Sequence, residues 1–331
     1  MTEAGALSLA SRLHAAWDAY WFRPGSLRRL AYCRILFFTF FLIYHNMHDR
    51  GGLTSFSGTD VYAPMLITRV LHDILGVPYL TPSVQYLLYV LMVAFAAASL
   101  LGLRTGLSTM LTALVYTYLK AEAYSHGGYV HHPDAIVALS LWALALSPCG
   151  EVLSLDALRR RRGGTAFPAR AVTGDVRSTS ILATWPVRFI SLFLAIAYFL
   201  AGGCKVWLGG GLGWVNGDTL RYYLVQGAMP LGMRLSDHHL VTQLMSIVTV
   251  LFELTFWLVL VFPALTWIYV LYGLSFHIGS IYLMNVHFIP FLMGYVFLLD
   301  WVAVEAKLRR WFGRDGAKRP RDSARGIAKA P

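Results

Sequence analysis

Apolar residues in this chain fall in long blocks, not at alternating positions. Eight blocks stand out, at residues 30–47, 84–103, 106–123, 134–149, 186–206, 240–262, 264–284 and 288–303. Each is close to the length of about 20 residues that a helix needs to cross a bilayer. In lipid the backbone must satisfy its own hydrogen bonds, so each block is expected to be helical. The pattern predicts an all-α fold: a polytopic membrane helix bundle of about eight transmembrane helices. Two polar-interrupted stretches break the series. Residues 61–80, "VYAPMLITRVLHDILGVPYL", carry Arg69, His72, Asp73 and two prolines and read as a short helix in the outer interface. Residues 207–239 are rich in Gly and Trp and read as a packed outer loop.

Composition agrees with the pattern. The chain is 57% hydrophobic and 14% charged, whereas soluble domains run to about 45–50% and about 25%. A second large soluble domain is therefore not expected. The first 29 residues mix charge with two tryptophans and lack an apolar core before a small-residue cleavage site, so no cleavable leader is expected. Cys33, Cys149 and Cys204 form no CxxC pair and imply no disulfide framework. Cys33 and Cys149 read as small apolar filler.

Charge sets the topology. Lys and Arg concentrate in the N-terminal stretch (Arg12, Arg23, Arg28, Arg29), in the loop after the fourth block (Arg159 to Arg162, Arg170, Arg177) and in the tail from Lys307 to Lys329. An even number of crossings puts all three on one side, which the positive-inside rule makes the cytoplasm. Three regions follow: a cytoplasmic segment at 1–29, a transmembrane domain at 30–303 and a basic, disordered cytoplasmic tail at 304–331. The net charge of +11 then reflects topology and anionic lipid, and nucleic acid is not an expected partner.

Ionisable groups inside a membrane cost about 2.5–3.5 kcal/mol at a helix centre, so each one needs a reason. Lys205 ends the fifth block in "AYFLAGGCKVWLGGG". One reading is a lysine snorkelling to the head groups. The small residues Ala201, Gly202 and Gly203 favour another, in which a neighbouring helix closes over the amine. Desolvation disfavours a charged amine, and a neutral amine can act as a base near neutral pH. Glu253 lies mid-block in "VLFELTF" and should be protonated or paired; His277 is one choice of partner. Many of the 11 histidines fall on the outer side, among them His126, His131, His132, His238, His239, His277 and His287. Of those named, only His277 lies within a block. No HExxH, no GxSxG and no phosphate-loop GK[ST] occurs, and no metal is expected.

The ordered set "AYCRILFF", "HHPDAIVALSLWALALSPCGEVLSLDAL", "RFISLFLAIAYFLAGGCKVWLGGGLGWVNGDTL", "LFELTFW" and "LSFHIGSIYLMNVHFIPF" resembles the horizontally transferred transmembrane (HTTM) domain family, which includes vitamin K-dependent gamma-glutamyl carboxylase. The resemblance covers most of residues 20 to 303. It implies that Lys205 is the base that deprotonates a reduced naphthoquinone, with Cys204 standing where the carboxylase has a first lysine. It further implies that one of His126, His131 and His132, together with His277, is catalytic. Gly202, Gly203, Phe276 and Trp207 would shape the cofactor pocket, on the extracytoplasmic side of a bacterial cell membrane. The carboxylase continues into a large domain for its protein substrate where this chain has a basic tail, so the resemblance does not carry the carboxylation of protein glutamate over to this chain, and leaves an oxygen- or quinone-dependent reaction on another substrate open.

Three functions are weighed on these residues. The first is an enzyme with vitamin K hydroquinone-dependent carboxylase or epoxidase-like chemistry, working with membrane lipid and a quinone. The second is a non-catalytic accessory protein for maturation, export or immunity of a secreted or membrane peptide. The third is a transporter with Glu253 in a proton path.

Overall fold

The computed structural model describes residues 9–47, 64–127, 133–163, 178–208 and 212–312. Thirteen helices carry the argument. Helix α1 (Leu9–Trp21) precedes α2 (Leu27–Met47), α3 (Pro82–Leu101), α4 (Thr105–Gly127), α5 (Asp134–Ala145), α6 (Leu155–Arg162) and α7 (Trp185–Gly203). Then come α8 (Asp218–Gln226), α9 (Pro230–Ser236), α10 (His239–Thr255), α11 (Thr266–Met284), α12 (Ile289–Leu298) and α13 (Trp301–Trp311). A two-residue antiparallel bridge joins β1 (Gly25–Ser26) to β2 (Thr179–Ser180).

Local signals in the sequence mark the helix ends. Ser26 Oγ accepts the Arg29 N–H at the start of α2. Thr81 does the same for Val84 at the start of α3, with Pro82 in the first turn. Both are the side-chain caps that orphaned helix N–H groups require. Gly102 stops α3 in the left-handed region, at φ 70°.

The bundle centre is made by α2, α5, α7 and α12. Phe37, Phe38 and Phe41 of α2 meet Ile136 and Leu141 of α5, Ile190 and Leu194 of α7, and Met293 and Phe297 of α12. Gly294 permits this packing, because a Cβ there would lie 2.8 Å from Ile136 Cγ1 and 3.2 Å from Leu194 Cδ1. Cys33 and Cys149 are buried free thiols, as the filler reading expects. Apolar side chains of α3 (Val84, Leu87, Leu91) and α11 (Ile268, Leu271, Ile278) are exposed and form the lipid-facing surface.

All eight expected blocks fall on helices, but they are not equal. Four are long and apolar enough to cross: α2, α3, the run Ile181–Leu208 containing α7, and the run Pro263–Met284 containing α11. The α12–α13 pair, bent by 77°, makes a fifth if the two are one span. Helices α5 and α10 are apolar but only 12 and 17 residues long. At about 1.5 Å per residue, α5 reaches only part of the way through a core about 30 Å thick. Helix α4 has the length, but carries Lys120 and Glu122 in its last third. Length and composition thus support four to five crossings, against the expected eight.

The described parts of the three basic segments gather at one end. The β1–β2 bridge ties the N-terminal stretch to the chain after α6, and Arg28 pairs with Glu305 of α13 at 2.5 Å. Residues 61–63 of the predicted interfacial helix lie outside the described residues. The remainder forms one short turn, Leu66–Thr68, running into a π-helical segment, Arg69–Ile74.

Asp156, in the first turn of α6, joins that helix to the α3–α4 turn. It accepts the N–H groups of Arg104 and Thr105 and the Thr105 hydroxyl, at 2.7–2.8 Å. Burial raises its carboxyl pKa, but the Thr105 and Arg104 hydrogen bonds and the Arg160 charge outweigh it, so the group titrates below its ordinary range. Gly102 sits in the same junction, and a Cβ there would meet Arg34 Nη1 and lie 2.8 Å from Ser154 Cα. Gly102→Ala combines a positive φ with this clash and should cost about 2–3 kcal/mol. A several-degree fall in the thermal midpoint of the purified protein would register it, and an unchanged midpoint would refute it.

Candidate functional site

Helix α7 runs 19 residues, about 28 Å, from the basic end of the bundle to Gly203. A Cβ on Gly202 would lie 3.0 Å from Glu253 Cβ and 3.0 Å from the Leu254 N and Cγ. The missing atom lets α7 lie against α10 just where the carboxylate is. A Cβ on Gly203 would come within 2.7 Å of the Trp207 ring. Beyond these glycines the chain enters a π-helical turn, Cys204–Leu208, a distortion common at functional sites. Lys205 stands on that turn.

Lys205 Nζ donates to both Glu253 carboxylate oxygens, at 2.7 Å each. The lysine side chain is 18% exposed and the glutamate 4%. The Trp214 ring centre lies 5.0 Å from the ammonium, within cation–π range. Glu253 therefore takes Lys205 as its partner, and His277 is engaged elsewhere. Its Nε2 lies 2.5 Å from the Tyr198 hydroxyl, which is itself 2.5 Å from the Tyr295 hydroxyl. The imidazole stacks on Phe291, with centroids 5.8 Å apart at 24°, and its Nδ1 is buried with no hydrogen-bond partner among the described residues.

These groups share one cavity of about 460 Å³, walled by Tyr198, Lys205, Trp214, Glu253, Phe276, His277, Phe288 and Phe291 among others. That volume is in the usual range for small-molecule sites, about 300–1,000 Å³, and a mostly apolar wall with a few convergent polar groups is their usual chemistry.

The structure thus brings together Lys205, Glu253, His277 and Phe276, with Gly202 and Gly203 shaping the approach. Trp207 packs on Gly203 and Phe199 and is 68% exposed; the indole on the cavity wall is Trp214. His126 belongs to a different cluster. It lies 3.5 Å from Glu122 Oε2, while Glu122 Oε1 lies 2.5 Å from His72 Nε2. His131 and His132 lie outside the described residues. His238 and His239 are exposed at the start of α10. Among the described residues, no three His, Cys, Asp or Glu side chains group as a metal site.

Sequence reasoning missed Tyr198, Tyr295 and Trp214. Tyr198 precedes Lys205 by seven residues, two helical turns, which was a readable sign of a shared face. Tyr295 carries no such sign, because its contact crosses from α12 to α7.

A helical membrane protein with an ion pair enclosed far from its basic end is the class these features define. The HTTM domain family model matches residues 22–301, and the chain belongs to that family. No curated protein and no solved structure matches the chain.

Proposed function

We propose that this chain is a membrane enzyme whose cavity takes a lipid-soluble, oxygen-bearing ring of the reduced naphthoquinone type, on the extracytoplasmic side, with the Lys205–Glu253 pair moving a proton at the ring oxygen. The observation that carries the reading is the two-pronged Lys205–Glu253 contact inside an aromatic-walled cavity. The residues suit such a group. Phe276, Phe288, Phe291 and Trp214 offer flat faces, to which aromatic rings stack favourably. An adjoining apolar cavity of about 380 Å³ shares Leu220, Thr249, Phe276 and Met284 with the first, and provides space for an apolar tail. When bound, a reduced naphthoquinone would supply a phenolic proton, reducing equivalents and, with oxygen, the basicity that carbon deprotonation demands.

The chain's own part is proton handling. The ion pair is an ammonium and a carboxylate joined by N–H···O bonds. A proton shift along one of them leaves a neutral amine and a neutral acid. Away from water, charge separation loses much of its solvation advantage, so this shift costs less than it would in solution. The amine then accepts the ligand O–H proton and becomes an ammonium again. Glu253 holds the extra proton, and the ammonium faces the new oxyanion in place of the carboxylate. Lys205 is then both base and counter-charge, the preorganised electrostatic arrangement that stabilises developing charge.

The test is direct. A short-chain naphthoquinone added to the purified protein in detergent should quench tryptophan fluorescence saturably. Trp214→Phe should remove most of that saturable part. Quenching that never saturates, or that survives Trp214→Phe intact, overturns the placement.

A further inference from the structure

We propose that α1 and α13 lie flat on the membrane surface at the basic end of the bundle, with their apolar stripes in the acyl region and their basic side chains on the phosphates of anionic phospholipid. The partner is the bilayer that the bundle itself spans. Nothing in this seating depends on what the Lys205 cavity binds.

Position and direction carry the first half of the inference. Helix α12 ends where Arg29 of α2 donates to the Phe297 and Leu298 carbonyls, so its end is level with the first turn of α2. From there the chain turns by 77° into α13. Glu305 holds α13 to α2: it accepts from Tyr32 at 2.7 Å and pairs with Arg28 and Arg309. Helix α1 is fixed to α7 in the same way. The Arg188 guanidinium, in the first turn of α7, donates to the Tyr20 carbonyl and lies 4.2 Å over the Tyr20 ring. Both helices are thus held at the first turns of helices long enough to cross, the level at which head groups begin. Neither is a crossing in its own right. They have 13 and 11 residues, about 20 Å and about 16 Å long, against a hydrocarbon core about 30 Å thick.

The residue pattern supplies the orientation. In α1, Leu9, Leu13, Trp17 and Tyr20 recur at helical spacing; all four are exposed, and no residue of the helix is buried. In α13 the stripe is Trp301, Val304, Leu308 and Trp311, with Leu308 exposed and Trp311 83% exposed. Trp301, which begins that stripe, lines an apolar groove with the exposed Phe40 and Ile43 of α2, so the stripe continues the lipid-facing surface of the bundle. Lys307 and Arg309 flank the stripe, and Arg310 lies on the far side. Glu305 takes Arg28 and Arg309, which leaves Lys307 and Arg310 without a carboxylate among the described residues. Aromatic residues along an apolar stripe with basic residues at its edges seat a helix in the interface, and basic side chains at that depth favour anionic head groups. A second copy of the chain fits less well, since pairing two α13 faces would set one basic edge against another.

Spin labelling of the full chain in vesicles tests this, in a background where the exposed Cys204 is replaced by serine. Leu13→Cys and Leu308→Cys put single labels on the two stripes. Ala15→Cys and Ala306→Cys put them on the opposite faces, at positions exposed in the structure. In vesicles of phosphatidylcholine mixed with phosphatidylglycerol, the stripe labels should collide with oxygen several-fold more than with a water-soluble nickel chelate. The opposite labels should show the reverse. In phosphatidylcholine alone the oxygen preference at Leu308→Cys should fall about twofold, and adding Lys307→Gln and Arg310→Gln should produce the same fall in the mixed vesicles. Nickel-dominated collisions at all four labels would mean that the helices stand in water, and would overturn the proposal. A stripe label reached by neither reagent would mean that protein covers the face, a second copy or another chain, and would overturn it equally. An oxygen preference that is the same in both lipid mixtures would overturn the recognition of anionic lipid.

Discussion

Lys205→Met should lower stability by about 3 kcal/mol and abolish turnover together. The substitution leaves Glu253, 4% exposed, as a buried carboxylate without its counter-charge, and removing one partner of a buried pair costs about 3–5 kcal/mol. The low end applies because Lys205 retains 18% exposure. Loss of function in this single variant would therefore be ambiguous between chemistry and folding. The companion Lys205→Met/Glu253→Leu separates them. Replacing both charges by apolar groups is often neutral or stabilising, so the double variant should regain a near-wild-type thermal midpoint. It should still show no naphthoquinol-dependent oxygen uptake. Oxygen uptake at the wild-type rate in the double variant would remove Lys205 from the chemistry. A single variant as stable as the wild type would show that the pair is not an enclosed ion pair.

Glu122→Leu should cost a similar amount, about 3 kcal/mol, and should release residues 65–79 from α4. His72 Nδ1 lies 2.6 Å from the Val77 carbonyl. A carbonyl only accepts, so Nδ1 carries a proton. His72 Nε2 meets Glu122 Oε1 at 2.5 Å with both side chains 2% exposed, and the His72 ring stacks on Tyr79 at 4.0 Å. The neighbouring Thr68 and Ser125 hydroxyls add a further bond at 2.8 Å. Leucine at 122 takes away the hydrogen-bond partner and strands His72 Nε2. Limited proteolysis should then cut within 65–79 several-fold faster, while Glu122→Gln, which keeps a hydrogen-bonding group at that place, should fall in between. Equal protease resistance in all three proteins would show that the clamp does not hold this segment.

Much of this was legible in the residue order. Blocks of apolar residues marked the eight helical stretches that build the bundle, though not the shorter helices α1, α6, α8 and α9. The rarity of charge in those blocks drew attention to Lys205 and Glu253, and His277 stood out as the one outer histidine inside a block. Gly202 beside Lys205 announced a close helix approach, and it is the contact with Glu253 and Leu254. Glu122 and His126 stand four residues apart on a helix, a spacing that permits a pair, but the more important partner, His72, could not be read from it. Other features were hidden for physical reasons. Trp207 and Trp214 are chemically alike and flank the same glycine run, and only the turn taken by the chain decides which indole enters the cavity. Helix α5 reads like a span, yet at 12 residues it is packed in the bundle interior, and apolar content does not distinguish lipid from protein as its surroundings.

The sequence by itself determined that this protein is a helical membrane chain with Lys205, Glu253 and His277 among the few polar groups set into its apolar blocks, because the cost of placing backbone and charge in lipid is paid locally, segment by segment. Only the tertiary structure decided which of those groups meet. Lys205 pairs with Glu253 across α7 and α10, and His277 joins Tyr198 and Tyr295 across α11, α7 and α12. Hydrogen bonds and ion pairs act over about 3 Å, and which residues come that close depends on how the helices pack, not on their separation along the chain.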